Sequence, residues 1–282
     1  MEKIMSFLKN LFDRKIVILA AAGTLLFIGM AIFAPLLAPY DPNRQDLMSS
    51  LAKPSAKYLL GTDLHGRDIL SRIIFGTRIS MVIGILAVFI GTIIGSLLGL
   101  IAGYFGGIPD LVIMRILEAV FSIPRIILAI ALGAVYGNGL AILAVIIGFS
   151  TIPGYARLIR GQVFQVKQND FIAAGEVIGV SSVRQILKHI LPNVISPIIV
   201  MMTQNIGSAI LTEASLSFLG VGINPPTATW GGMVNDGRSY LLTSPLASLA
   251  PGVCIVILVI CLNILGDGVR DALDPRLKGI TH

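Results

Sequence analysis

Residues 79–109 read ISMVIGILAVFIGTIIGSLLGLIAGYFGGIP, with no charged side chain anywhere in the run. A bilayer-spanning helix needs about 20 consecutive apolar residues, so this stretch is long enough to cross. Gly91, Gly95, Gly99 and Gly103 recur at every fourth position. In a helix that spacing puts them on one face, where missing side chains let a second helix approach closely. The surrounding Ile and Leu suit the other faces to lipid. The pattern reads as a packed transmembrane helix rather than as a flexible glycine-rich segment.

The rest of the chain agrees with this solvent. Of its 282 residues 55% are hydrophobic and 13% charged, and mean hydropathy is +0.88. A soluble domain carries about 25% charged residues, so a water-facing surface would be short of charge by half. Five further apolar runs flank the first: Ile16–Ala38, Leu111–Tyr136, Leu140–Tyr155, Pro192–Glu213 and Ser248–Gly266. The first is too long for a signal-peptide core of roughly 7–15 residues and reads as a retained anchor. Tyr136-Gly137-Asn138-Gly139 supplies a tight turn, since Gly and Asn tolerate positive φ. The expectation is an all-α polytopic membrane protein with six transmembrane helices. Residues 1–78 form an anchor helix and outer polar segment, 79–268 the transmembrane core and 269–282 a tail.

Six spans put both ends on one side, and basic residues choose which. With the N-terminus inside, the inner segments hold twelve Lys and Arg (Lys3, Lys9, Arg14, Lys15, Arg157, Arg160, Lys167, Arg184, Lys188, Arg270, Arg276, Lys278). The outer segments hold seven (Arg44, Lys53, Lys57, Arg67, Arg72, Arg78, Arg238). Both termini are therefore expected in the cytoplasm. Before residue 79 the basic residues alternate with Asp63 and Asp68, as in an amphipathic stretch at the outer interface. The net charge of +6 is topology, because no basic stripe forms and nucleic acid is not an expected partner.

The inner loop 170–193 reads DFIAAGEVIGVSSVRQILKHILPN. It predicts a short helix, a break at Gly179 and a second helix, with Ser182 and Gln185 spaced as a capping box. Pro192 fits the first turn of the next span, where its missing N–H costs nothing. Ala173, Ala174 and Gly175 make a low surface suited to a groove on another protein.

This segment resembles the EAA loop of binding-protein-dependent ABC importer permeases, whose Glu-Ala-Ala helix, glycine and Leu-Pro form a coupling helix. Gly179, Leu191, Pro192 and Ala174 match that spacing. The motif's glutamate falls on Ala173, its second alanine on Gly175 and its isoleucine on His189; Glu176 is the next carboxylate along the chain. Three further stretches resemble the "C"-type subunit of the dipeptide/oligopeptide/nickel branch of that family. They are Leu60–Asp68 with Gly76–Ser80, Glu213–Gly220 continuing to Trp230-Gly231, and Asn263–Arg276. The resemblance implies a permease subunit in a bacterial or archaeal cytoplasmic membrane. It implies partners too: a homologous permease, ATP-binding subunits and an extracytoplasmic binding protein. Coupling would run through Ala173, Ala174, Gly175, Glu176, Gly179, Leu191 and Pro192. The expected cargo is di- or oligopeptide, with nickel or a metal chelate as the alternative.

Single residues refine this expectation. Arg125 follows Pro124 inside the third span, where a charge costs at least about 2.5 kcal/mol. It either lines the path or an interface, or it pairs with Glu118 seven residues earlier. Glu213, at the outer end of the fifth span, either meets substrate or a gate, or caps structure. Trp230 is either a binding-protein contact or an interfacial belt residue. Asp63, Arg67 and Asp68 read as a structural ion-pair cluster. Cys254 and Cys261, in one apolar run, read as packing residues. His65, His189 and His282 share no metal-ligand spacing, so no metal is expected in this subunit.

Other classes fit less well. There is no Gly-x4-Gly-Lys-Ser/Thr loop, so ATP binding falls to partner chains and no cofactor is expected here. Leu265-Gly266-Asp267 only partly resembles a membrane aspartyl protease motif, since Ile264 stands in place of its first glycine. A lone secondary transporter would show internal repeats and midplane ionisable sites; no repeat is evident.

Overall fold

The computed structural model describes residues 11, 14–137 and 139–273. Asn138 of the expected turn, Lys3, Lys9, His282 and the tail residues Asp274, Pro275, Arg276 and Lys278 lie outside the described residues. Among the described residues there is no strand, only one isolated bridge between Thr62 and Asp68. The helices are α1 (Lys15–Ile32), α2 (Ala34–Leu37), α3 (Ile69–Phe105), α4 (Gly107–Phe121), α5 (Arg125–Tyr136), α6 (Leu140–Lys167), α7 (Asp170–Val177), α8 (Ser182–Gln185), α9 (Leu191–Phe218), α10 (Trp230–Gly237) and α11 (Leu246–Leu273). A π turn, Ile186–Ile190, joins α8 to α9. Five continuous helical segments are long and apolar enough to cross a membrane, and the pair α4–α5 makes a sixth crossing if taken as one bent span.

The bend is a departure from the third span expected at Leu111–Tyr136. Its two helices meet at 88°. Ile123 precedes Pro124, and the proline ring disfavours the helical region for the residue before it. Glu118 does not reach Arg125; it pairs with Arg115 at 3.3 Å.

The second span also starts earlier than the charge-free run. Asp68 caps α3, accepting from the Ser71 backbone N–H at 2.8 Å. That helix has 37 residues, about 55 Å at 1.5 Å per residue, against a hydrocarbon layer of about 30 Å. The excess stands outside the layer. Arg67 and Arg72 are buried in the cap at that end, which replaces the expected interfacial amphipathic stretch. The fourth span likewise runs on past Tyr155 to Lys167. Ile159 and Val163 are fully buried there, so packing carries the helix through its charged part.

The centre of the fold is the contact of α3 with α6. A Cβ on Gly95 would lie 2.6 Å from Tyr155 Cβ and 2.8 Å from the Ile152 carbonyl oxygen. On Gly99 it would lie 2.6 Å from the Ala156 carbonyl, and on Gly103 2.7 Å from Val163 Cβ. Gly91 faces Thr151 and Gly148. The partners advance along α6 as the glycines advance along α3, so the two helices run parallel, joined by the return path α4–α5. Farther out on α3, Gly84 admits Ile210 of α9 and Gly76 admits the Trp230 ring.

The segment 214–247 is more ordered than a loop. Trp230 is fully buried; its Nε1–H donates to the Ile73 carbonyl at 3.0 Å and its ring meets Phe27 edge-on at 5.6 Å. It is a core plug, not a belt or docking residue. Cys254 and Cys261 are free thiols, and Cys261 packs where Gly23 leaves room.

Gly99→Ala should destabilise the protein by about 1–3 kcal/mol, the usual cost of overpacking, despite alanine's better helix propensity. Gly161, with nothing within 4 Å of an added Cβ, is the control: G161A should leave the detergent melting temperature unchanged or raised. Equal melting of the two variants would remove the close approach.

Candidate functional site

One end of the bundle carries the 170–192 segment. Gly179 has φ +77°, the left-handed conformation that glycine adopts without penalty. It ends α7 in a Schellman motif: the Val180 N–H donates to the Gly175 carbonyl at 2.9 Å and the Gly179 N–H to the Glu176 carbonyl at 3.1 Å. The capping box expected at Ser182 is not made. Ser181 is the N-cap residue of α8, with no side-chain cap bond, and Gln185 turns inward and is 1% exposed.

The segment's two faces differ. Ile172 is buried among Leu100, Tyr104, Ile159, Val163, Ile190 and Val194. The outer face shows Ala173, Ala174 and Glu176 exposed, beside Phe171, Val177 at 87%, Ile178 at 78%, Val183 and Leu187. Leu191 and Pro192 follow the π turn and open α9. At the same end Arg160 forms a bidentate pair with Asp110, tying α4 to α6.

The opposite end holds a polar clamp. The Asp63 carboxylate accepts from Arg67 Nε at 2.6 Å and pairs with Arg72 at 3.5 Å; Arg67 also reaches Asp236 at 3.8 Å. Arg72 Nη1 donates to the carbonyls of Pro42 at 3.0 Å and Pro226 at 3.2 Å. Two arginines thus fasten the 41–68 segment, the start of α3 and the 226–236 segment. Asp68 takes no part in these pairs, which corrects the expected cluster. Beside them is a cavity of about 260 Å³ lined in part by His65, Arg238 and Tyr240. Nearby, the Ser49 hydroxyl donates to Asp46 at 2.8 Å and, helped by Lys57, holds that carboxyl below its usual value.

Glu213 is 0% exposed. It accepts from the Ser80 hydroxyl at 3.0 Å and the Ser217 hydroxyl at 2.8 Å, so it joins α9 to α3 inside the bundle. Arg125 is exposed where α5 begins and forms no ion pair among the described residues. The structure does not bring Arg125, Glu118 and Glu213 into one site. Sequence reasoning missed Tyr104 and Lys167, which meet beneath the 170–192 segment: Lys167 Nζ donates to the Tyr104 carbonyl at 2.7 Å. A lysine at the last position of a helix was the available signal.

Residues 95–279 match the family described as "Binding-protein-dependent transport system inner membrane component". Residues 5–54 match the "N-terminal TM domain of oligopeptide transport permease C". The chain belongs to the binding-protein-dependent permease family. The glutathione transport system permease protein GsiD of Salmonella paratyphi A is 47% identical over 270 residues, covering 95% of this chain and 89% of that protein. GsiD of Escherichia coli O1:K1 is 43% identical over 261 residues, covering 92% and 86%. Both fall in the dipeptide/oligopeptide/nickel branch. The inward-facing MetNI methionine ABC transporter shares the fold, with a TM-score of 0.59 at 20% identity over 73% of this chain and 98% of that one.

As such a permease the chain is an integral subunit of a bacterial inner-membrane ABC importer, not an enzyme. It works with ATPase and binding-protein partners. Its clamp gives the 41–68 segment a rigid base. Arg72→Met leaves Asp63 its pair with Arg67 but removes the donor to the Pro42 and Pro226 carbonyls, and should cost about 1–3 kcal/mol, the scale of buried acceptors left unsatisfied. Thermal unfolding in detergent reads this; a shift of under one degree would show these bonds to be dispensable.

Proposed function

We propose that this subunit carries short peptides, glutathione-like ones included, from the binding protein into the cell, and that the 170–192 segment is its docking surface for an ATPase subunit. The observation that carries the cargo reading is the 47% identity, over 95% of the chain, to permeases named for glutathione transport. The docking reading is supported by Phe171, Val177, Ile178, Val183 and Leu187, exposed together at a bundle end. An apolar patch bared to water marks a partner's seat. Ala173, Ala174 and Gly175 keep that surface low, and Glu176 is its carboxylate. The basic-residue count supports an inside location for both ends.

The mechanism follows. ATP closes the ATPase pair and draws the docking segments together. Ile172 passes that displacement to the cluster at the ends of α3, α6 and α9. The closely seated α3–α6 pair moves as one body and alternates the opening of the pore. Arg125 belongs to the path or to the face toward the second permease; the pairing with Glu118 that would have neutralised it is not made.

Uptake in a strain deleted for this chain should be lost for labelled glutathione or a labelled dipeptide and kept for labelled nickel. Loss of nickel uptake alone would move the cargo to the metal branch. Ala174→Arg should release the ATPase subunit from the detergent-purified complex while the variant stays in the membrane. Undiminished co-purification would remove the docking reading.

A further inference from the structure

Gln185 has the spacing of half a capping box, yet it is among the most deeply buried side chains of the described residues. Its Oε1 accepts from the Tyr104 hydroxyl at 3.1 Å, and its Nε2 donates to the Ile172 carbonyl at 3.4 Å. Gly175 makes room for it, since a Cβ there would lie 3.0 Å from Nε2. Tyr104 is in turn held by Lys167, whose Nζ donates to its carbonyl at 2.7 Å and sits 5.2 Å from its ring centroid. One carboxamide and one phenol therefore join the ends of α3, α7 and α8, and Lys167 fastens the end of α6 to the same tyrosine.

The apolar cluster around Ile172 transmits force, but apolar contact has no direction and lets α7 slide. A buried hydrogen bond fixes the register, because a displaced partner is left unsatisfied away from water. Gln185 lies just before the π turn Ile186–Ile190, so the bridge also ties the segment's second helix to α3. At its other end α3 bears Arg72 of the clamp. A displacement of α7 thus reaches the opposite face of the protein along a single continuous helix.

We propose that Gln185 and Tyr104 form a latch that positions the docking segment on α3, so that movement of the segment is converted into movement of the spans. The proposal rests on the docking reading above. Gln185 and Tyr104 are positioning residues; neither touches cargo or nucleotide.

The test uses the complete importer, permeases with ATPase subunits and binding protein, in proteoliposomes with labelled glutathione. Tyr104→Phe deletes one hydroxyl, and Gln185→Leu deletes the amide at similar volume. Cargo moved per ATP hydrolysed is measured on equal amounts of assembled complex. Tyr104→Phe should lower that ratio about five-fold, the scale of one buried hydrogen bond, and Gln185→Leu at least as much, since it also removes the bond to Ile172. The double variant should be no worse than the poorer single one, because both remove the same bond. A wild-type ratio for Tyr104→Phe overturns the latch, as do losses that multiply in the double variant. A fall in assembled complex with an unchanged ratio overturns it too, since that is a structural role alone. Ala174→Arg separates the two readings: if the ATPase subunit stays bound to that variant, docking fails and the latch with it. If Ala174→Arg releases the subunit while Tyr104→Phe couples normally, only the latch fails.

Discussion

The backbone of α3 touches the backbone of α6, and much of the remaining structure follows from that contact. Lipid tails are as apolar as leucine, so two helices in a membrane gain little by hiding apolar side chains from them. What they gain is dense packing, and glycine every fourth residue provides it. With Gly95 and Gly99 set against the Ile152 and Ala156 carbonyls, there is no room for a side chain between the helices. Because both run the same way, the chain must return across the membrane between them. That return is the bent pair α4–α5, whose faces are the more exposed.

The second constraint is that polar groups inside such a fold must find partners within it. Glu213 takes two serine hydroxyls, Trp230 a main-chain carbonyl, and Gln185 a phenol and a carbonyl. Apart from the Ser217 bond, which stays within α9, each links a late part of the chain to α3 or α7. The polar residues of the interior are thus a set of fasteners between helices that shape alone would leave free to slip. The arginine clamp does the same work at the end opposite the 170–192 segment, where three chain segments meet on Asp63 and Arg72.

How much of this the sequence showed depended on the range of the interaction. The spans were legible because each rests on a local property, a long apolar run. Gly179 was legible because its break lies within the loop. The start of α3 was not: Arg72 looks like an interfacial charge until Asp63 and the Pro226 carbonyl close around it. Gln185 sits three residues after a serine and imitates a cap; its true partner is 81 residues away. Trp230 bonds across 157 residues. The bend at Pro124 had its local signal, but composition counted the whole run as one span. Periodicity reports what a residue does within its own helix and is silent about a partner from elsewhere in the chain.

Val177 and Ile178 lie almost bare on the outer face of the 170–192 segment. On the proposed docking reading an ATPase subunit covers that face; uncovered, it is the kind of apolar surface that makes incomplete chains aggregation-prone. On that reading a permease made in excess of its motor would carry its own label for disposal. With assembly covering it, the patch proposed to receive the motor's work would also set the ratio in which the parts survive.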